Sequence, residues 1–303
     1  MAAVTLAVAL AMGGCQAILP ARPPSTVVPA TVTATPGIDF TQPGAAAAMV
    51  GELLKTASAK QVVMVEVGAD EVAVCVLVNG AAVTWAYRDG RIGPVATDIV
   101  YVDQAAFDVS DFNLDDVGAL FRAAAAVSGS TQSQTLQIVD YSGGRVMMSV
   151  ATNPESRTVF FNPDGSLLED LDFATLGGEQ RGLDDVRAQV PAAYTVSVQS
   201  DQGVWMDSPG EEQGTIVRRQ RTSRVPVTTV TRTQGTTLKT FSPALVDPAA
   251  IWSVVKSQVG TTVSADTAWS VTIDDRSGHG LPRMYFTFGL RSLVTDLAGN
   301  PMS

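Results

Sequence analysis

Serine, lysine, histidine and cysteine are the residue types through which this chain could do chemistry, and their spacing limits what that chemistry is. Ser253 and Lys256 stand three residues apart in a predicted helix, where a lysine could take the proton of a serine nucleophile. No Lys-Thr-Gly tripeptide follows them, and a four-residue pattern with two free positions is common by chance. The pattern therefore leaves a Ser-x-x-Lys hydrolase only as a remote alternative, and we predict that the chain is not an enzyme.

The single histidine and the two cysteines do not supply a triad or a zinc site. His279 lies in a predicted hairpin loop, and no Gly-x-Ser-x-Gly elbow accompanies it. Cys75 lies in the apolar run 72–78, which predicts a buried and unreactive thiol. One histidine and one spare cysteine exclude the usual zinc ligand sets, so we expect neither a metal nor another cofactor.

Adjacent carboxylates occur in four places. The first two pairs are predicted at helix starts, where negative charge stabilises the helix dipole, and the last two are predicted in hairpin loops. Capping and solvation therefore explain them better than catalysis. The pairs are Asp115-Asp116, Asp184-Asp185, Glu211-Glu212 and Asp274-Asp275.

A cluster of arginines contrasts with the net charge of −10 of the whole chain. The cluster lies in and beside one predicted strand and comprises Arg218, Arg219, Arg221 and Arg224. Strand alternation places Arg219 and Arg221 on one face. The cluster could contact an anionic partner, such as a wall polymer, a headgroup or an acidic protein. The alternative is a solvated strand edge, where charge deters aggregation. The acidic chain as a whole repels phosphate backbones, so we predict no nucleic-acid partner.

The N-terminus carries an export pattern. Residues 2–14 form an uncharged apolar run, too short to span about 30 Å of hydrocarbon, which fits the core of a signal peptide. The run ends in Met12-Gly13-Gly14-Cys15, which resembles the lipobox of bacterial lipoproteins, although Met12 stands where leucine is usual and no basic residue precedes Cys15. The resemblance implies that Cys15 is lipidated after removal of residues 1–14. An ordinary signal peptide or an uncleaved anchor with an incidental cysteine is the alternative.

A semi-rigid tether is predicted after the lipobox. Residues 15–43 contain six prolines and almost no charge, and proline removes backbone donors and favours extended polyproline II geometry. Lipoproteins often have such a segment between the lipid and the folded body. The resemblance therefore implies a protein that is lipid-anchored on the extracytoplasmic face of the cell membrane.

The folded part is predicted to contain four copies of one small unit. From residue 44, an amphipathic helix, three strands and a glycine turn recur at a spacing of about 50 residues. In the third copy the strands are expected at 194–199, 215–220 and 225–232. The fold class is thus α+β, made of repeated helix-plus-three-strand units, with antiparallel sheets and the helices packed on one face.

Two domains of two units each are expected. Gly177-Gly178 and neighbouring polar residues interrupt the pattern between 171 and 181, which places the first domain at 44–172 and the second at 178–303. Within each domain, two units can pair their sheets edge to edge and share one core.

The order of elements resembles the PepSY-type and beta-lactamase-inhibitor-type modules of bacterial envelope proteins. The resemblance rests on topology and on turns such as Asn162-Pro163-Asp164-Gly165, over residues 44–303. It implies non-catalytic binding of another envelope component, a protein or a wall polymer. A carrier of a lipid or other apolar ligand, in a pocket between sheet and helices, is the alternative.

Overall fold

The computed structural model describes residues 37–96, 104–236, 238–260, 263, 267–278 and 280–302. Within these residues the chain forms four α-helices and two antiparallel seven-stranded sheets, which confirms the α+β class. Cys15 and His279 lie outside the described residues, as does the tether up to residue 36. None of the described helices is long and apolar enough to cross a membrane.

The first sheet contains seven strands in the order β4-β3-β2-β1-β5-β6-β7. Its elements are α1 Ala45–Ala57, β1 Val62–Val67, β2 Val72–Val78, β3 Ala81–Arg88, β4 Arg91–Val95, the 3-10 turn η1 Val109–Asp111, α2 Val117–Ser128, β5 Thr135–Ser142, β6 Arg145–Ala151 and β7 Val159–Phe161. The hairpins β2–β3 and β3–β4 turn at Asn79-Gly80 and Asp89-Gly90. All four of these residues have positive φ, as tight two-residue hairpins require.

The second sheet has the equivalent order β11-β10-β9-β8-β12-β13-β14. Its elements are α3 Leu176–Arg187, β8 Thr195–Gln199, β9 Gly203–Pro209, β10 Thr215–Arg221, β11 Thr228–Thr233, the 3-10 turn η2 Pro243–Leu245, α4 Pro248–Val259, β12 Trp269–Asp274, β13 Arg283–Phe288 and β14 Arg291–Thr295. In both sheets the first strand after the first helix pairs with the first strand after the second helix: Val65 lies opposite Ile138, and Val198 lies opposite Val271.

The expected count of three strands per unit is wrong for two of the four units. Four strands follow α1 and four follow α3. In the third unit the sequence reasoning missed β9, whose Val204 and Met206 are buried but whose Asp207-Ser208-Pro209 end looks like a loop. The hairpin β9–β10 nevertheless pairs in full, from Val204 opposite Arg221 to Pro209 opposite Ile216.

One of the two acidic pairs predicted at helix starts lies at a helix start and the other does not. Asp116 caps α2 by accepting a 2.7 Å hydrogen bond from the Ala119 backbone. Asp184-Asp185 lies in the last turns of α3 and not at its start, because α3 begins at Leu176 with Thr175 as its cap. Asp115-Asp116 and Glu211-Glu212 lie where they were predicted. The prediction for Asp274-Asp275 is wrong in part, because Asp274 ends strand β12 and both side chains are buried rather than solvated.

The glycine pair that suggested a linker belongs to α3. A Cβ on Gly178 would lie 2.0 Å from the carbonyl oxygen of Asp172, so glycine allows the chain before the helix to pack directly on its first turn. The expected start of the second domain at residue 178 therefore falls inside a helix. Residues 37–303 form one compact unit that contains both sheets, and the two-domain division stays a prediction.

Each sheet shares a buried apolar cluster with the helices that precede its strands. Val50 and Leu53 of α1 pack with Val65 and Ile138, and α2 contributes Leu120 to the same cluster. The second cluster joins α3 and α4 to β8 and β12 and includes Leu183, Val186, Ile251, Val255, Val198 and Val271. These helical residues recur every three or four positions, as an apolar helix stripe does.

The two sheets meet at the turn between β5 and β6. Ser142 Oγ accepts a 2.7 Å hydrogen bond from the Thr229 backbone amide and donates to the Thr229 carbonyl at 3.2 Å. Thr229 lies on β11, the edge strand of the second sheet, so this hydroxyl satisfies part of an open edge. The contact places one face of the first sheet beside the loop that follows β10.

Candidate ligand-binding cleft

The structure divides the predicted arginine cluster between two faces of β10 and the loop after it. Arg218 forms a bidentate pair with Asp207, with Nε–Oδ1 at 2.8 Å and Nη2–Oδ2 at 2.9 Å. Arg232 binds the same carboxylate at 2.7 Å, and the Arg218 guanidinium stacks 3.9 Å from the centre of the Trp205 ring. Arg218 is therefore held by the second sheet itself.

Arg219 and Arg221 share the opposite face of β10, as alternation predicts, and both reach α3. Arg221 is only 1% exposed. Its Nε donates to Asp185 at 3.1 Å, and its two Nη groups donate to backbone carbonyls of Glu169, Thr222, Ser223 and Val225. Arg219 donates to the carbonyls of Ala188 and Asp185. Arg221 thus holds α3 and two loops together and is not accessible to a partner. The solvated-edge alternative also does not fit it, because β10 lies between β9 and β11.

Arg224 lies apart from the other three and joins a different set of residues. Its Nε donates to Asp170 Oδ2 at 2.9 Å, and Nη2 of Arg157 lies 3.9 Å from the same oxygen. Ser223 donates a hydrogen bond to the other carboxylate oxygen. Burial acts to raise the pKa of Asp170, but the hydrogen bonds from Ser223 and Arg224 and the charges of both arginines lower it. Asp170 therefore stays ionised, holds Arg224 by a hydrogen bond and attracts Arg157 at longer range.

These two arginines border a cleft of about 590 Å³ against the first sheet. The cleft's floor comes from β5, β6 and β7, and the loop at Arg224 and Val225 forms one wall. We call this recess, bounded by Tyr141, Arg157, Phe160 and Arg224, the arginine cleft. Its volume is in the range of small-molecule sites in proteins.

The two sides of the arginine pair differ in charge. The described residues that line the arginine cleft include both guanidinium groups and no carboxylate. A smaller recess of about 360 Å³ also touches both arginines, and it is lined by Glu169 and Asp170. Both carboxylates thus lie on the side of the smaller recess, and the described lining of the arginine cleft carries the two arginines alone as charged residues. Among the described residues, Arg157 has no partner closer than 3.9 Å, and Arg224 uses only its Nε.

An aromatic pair forms the apolar side of the cleft. Tyr141 and Phe160 meet edge to face with their ring centres 4.8 Å apart, and Tyr141 remains 38% exposed. Burial raises the pKa of the Tyr141 hydroxyl, which therefore stays neutral and able to donate. Val139 and Val225 extend the apolar surface, while Ser149 and Thr158 add hydroxyl groups.

The described lining of the cleft combines residues that bind anions with residues that bind apolar surfaces. The described lining residues offer hydroxyl groups but no histidine, carboxylate or thiol that could act as a general base beside them. Guanidinium groups hold carboxylates and phosphates through paired hydrogen bonds, and exposed aromatic rings hold flat apolar surfaces.

Sequence reasoning found only Arg224 of this site. Tyr141 and Phe160 come from two strands and Arg157 and Asp170 from two loops, and no local pattern joins them. A signal did exist in β5, where Gln137, Val139 and Tyr141 alternate with the core residues Leu136 and Ile138. Two apolar residues on the outward face of a strand indicate a second covered or functional surface.

The other candidate groups do not form a reactive site among the described residues. Ser253 and Lys256 both lie on α4, as predicted, but both are exposed in the middle of the helix, and the structure records no hydrogen bond between them. Cys75 is a free and buried thiol whose pKa is raised by burial. Among the described residues, no group of three or more potential metal ligands occurs.

Glu179 has the most strongly altered acid–base behaviour. It lies in the first turn of α3 with no exposed surface, and neither carboxylate oxygen has a hydrogen-bond partner among the described residues. Burial, with a smaller contribution from the charge of Asp247, raises its pKa to about 9. Glu179 does not line the arginine cleft, so its altered pKa bears on stability rather than on ligand contact.

A second groove of about 720 Å³ runs between α1 and the η1 segment. Val50, Leu54, Val109 and Phe112 supply apolar surface, and four aspartates surround it: Asp108, Asp111, Asp115 and Asp164. The described lining of this groove comes from helices and loops and not from a strand, so it is not the predicted pocket between sheet and helices. Its four aspartates disfavour an anionic ligand.

No protein-family model matches this chain. No curated protein sequence matches it either.

Proposed function

We propose that this protein is an exported lipoprotein, held at the extracytoplasmic face of the cell membrane by lipid on Cys15, whose folded part is a non-catalytic binding module. The observation that carries the binding role is the arginine cleft, with two guanidinium groups, an aromatic pair and no general base among its described lining residues. The proposed localisation rests on Met12-Gly13-Gly14-Cys15 and the apolar run before it. The partner is an envelope component that presents negative charge, either a protein or a wall polymer.

We also propose that each sheet combines two related helix-plus-strand units. The element order after α1 and α2 is the same as that after α3 and α4, and both sheets pair their units through the first strand of each. Such a duplicated architecture resembles the modular domains of envelope proteins. It leaves loops at the junction of the two sheets free to form a binding surface, as those around Arg224 do.

The lipid anchor is tested by measuring the intact mass and the detergent partitioning of the full chain, produced in a bacterial host. The wild type is expected to lose residues 1–14, gain a diacylglyceryl mass and enter the detergent phase. Cys15→Ala is expected to do none of these, because the modification needs the thiol. Cys75→Ala, which removes the other cysteine, should behave like the wild type. Identical partitioning of wild type and Cys15→Ala would contradict the lipid anchor.

The binding role is tested by sedimentation with isolated cell envelopes. The full chain carrying Cys15→Ala, which removes the lipid, is expected to sediment with envelopes at low ionic strength. The added double change Arg157→Gln and Arg224→Gln should reduce the bound fraction at least fivefold, because it removes the free charge of the cleft. Raising the salt concentration should also weaken binding.

A matched control carries Arg88→Gln and Arg122→Gln instead. These exposed arginines pair with Glu71 and Asp116 away from the cleft, so the net charge changes equally. The control should sediment like the chain that carries Cys15→Ala alone. Equal loss of binding in both double variants would attribute the effect to net charge and would remove the cleft from the proposal.

A further inference from the structure

The arginine cleft has a charged end and an apolar end that a single small molecule could span. We infer that it takes an anionic saccharide, in which a carboxylate or phosphate lies against Arg157 and Arg224 and the sugar ring lies against Tyr141. This inference rests on the proposed binding role and adds the chemical class of the ligand. The carboxylate and phosphate forms share the same recognition chemistry, and the experiment separates them.

The charged end is preorganised for an anion. Asp170 binds Arg224 at 2.9 Å and lies 3.9 Å from Arg157, so two guanidinium groups lie near one carboxylate and only Arg224 is hydrogen-bonded to it. Both Nη groups of Arg224 and the donors of Arg157 remain unbonded among the described residues. A ligand anion would supply the missing acceptors without competing with Asp170, which lies in the smaller recess. Planar donors of this kind favour bidentate oxygen pairs.

The other end fits a ring with an apolar face and polar edges. The Tyr141 ring packs edge to face against Phe160 at 4.8 Å, and Tyr141, which lines the cleft, is 38% exposed. Sugar rings combine C–H faces, which pack on aromatic rings, with hydroxyl groups at their edges. The hydroxyl groups of Tyr141, Ser149 and Thr158 supply polar contacts around that ring. A purely aliphatic chain would leave these hydroxyl groups unpaired.

The size of the cleft limits the ligand to one or two sugar units. A volume of about 590 Å³ holds a small molecule or the end residue of a polymer, but not a folded partner. An anionic wall polymer could therefore present one charged sugar at a time. The net charge of −10 of the protein repels such a polymer elsewhere, so binding is directed to this patch.

Ligand-observed saturation-transfer NMR on the full chain tests the inference at low salt. The probes are D-glucuronate, D-glucose 6-phosphate, the neutral D-glucose, and acetate and methyl phosphate as charged groups without a ring. We expect at least one of the two sugar anions to bind tenfold or more tightly than glucose and than the matching ringless anion. The stronger of the two identifies the carboxylate or the phosphate as the natural group.

Variants separate the two ends of the cleft. Arg157→Gln is the safest change, because Arg157 makes only the 3.9 Å contact and leaves the Arg224–Asp170 pair intact. It should weaken binding of the sugar anion at least fivefold, whereas Arg122→Gln should not change it. Tyr141→Ala should weaken the sugar anion but leave acetate and methyl phosphate unaffected.

Two results would overturn the inference. One is equal affinity for glucose and both sugar anions, and the other is equal loss in Arg157→Gln and Arg122→Gln. Either result combined with cleft-dependent envelope sedimentation would reject the saccharide and keep the binding role. If envelope sedimentation does not depend on Arg157 and Arg224, the binding role itself is rejected.

Discussion

Replacing Arg221 by methionine is expected to lower the free energy of unfolding by about 3–5 kcal/mol, because it leaves buried acceptors without a donor. Arg221 is 1% exposed, and its guanidinium group is the shared donor for Asp185 and four backbone carbonyls. Methionine fills a similar length but donates nothing. Urea unfolding followed by circular dichroism measures the change.

Two further variants identify the cause of the loss at Arg221. Arg221→Lys keeps the charge, but a single ammonium cannot reach Asp185 and all of the carbonyls together, so an intermediate loss is expected. Arg218→Met changes a partly exposed arginine of the same strand, and Arg232 remains on Asp207, so a loss of about 1 kcal/mol is expected. Similar losses for Arg221→Met and Arg218→Met would show that burial of the Arg221 hydrogen bonds contributes little.

The periodic part of the fold could be predicted from the sequence. Apolar alternation and the turns at Asn79-Gly80 and Asp89-Gly90 place the strands, and helical spacing of Val50 and Leu53 places α1. These signals are local, because each depends only on residues within one or two turns or one hairpin. The α+β class follows from them.

The errors came from residues whose role depends on contacts outside their own helix or strand. Gly178 looks like a helix breaker, yet its missing side chain allows the Asp172 carbonyl to approach α3. Asp207 looks like a loop residue, yet two arginines from neighbouring strands pair with it inside the second sheet. Neither partner set is adjacent in sequence, so propensity alone assigns both residues wrongly.

The candidate site was less predictable than the fold for the same reason. Alternation correctly placed Arg219 and Arg221 on one face, but it could not show that α3 buries Arg221. Arg224 gains its neighbours Arg157 and Asp170 only through the contact between the two sheets. A clustered charge in a sequence therefore indicates where to search, while accessibility and partners decide which of its members can bind a ligand.

The stability of the wild type is expected to fall as the pH rises from about 4.5 to about 9, because of Glu179. Its pKa is raised from 4.5 to about 9 in the folded protein, so between these values the folded state holds a proton that the unfolded chain releases. The favourable contribution is complete below the lower value and is lost towards the higher one. At pH 7 the loss is about 3 kcal/mol, since each pH unit in this window costs about 1.4 kcal/mol.

Glu179→Gln should remove this dependence, because an amide of similar size stays neutral at every pH. Near pH 4.5 the variant and the wild type should unfold at similar urea concentrations, and by pH 7 the variant should be the more stable by about 3 kcal/mol. Glu52→Gln, which changes an exposed glutamate of α1, is the matched control and should follow the wild-type profile. Parallel profiles for all three proteins would mean that Glu179 is ionised in the fold, with a positive or donating group beside it. A separation confined to Glu179→Gln would establish that α3 carries a neutral carboxylic acid in its buried face, next to Leu183 and Val186.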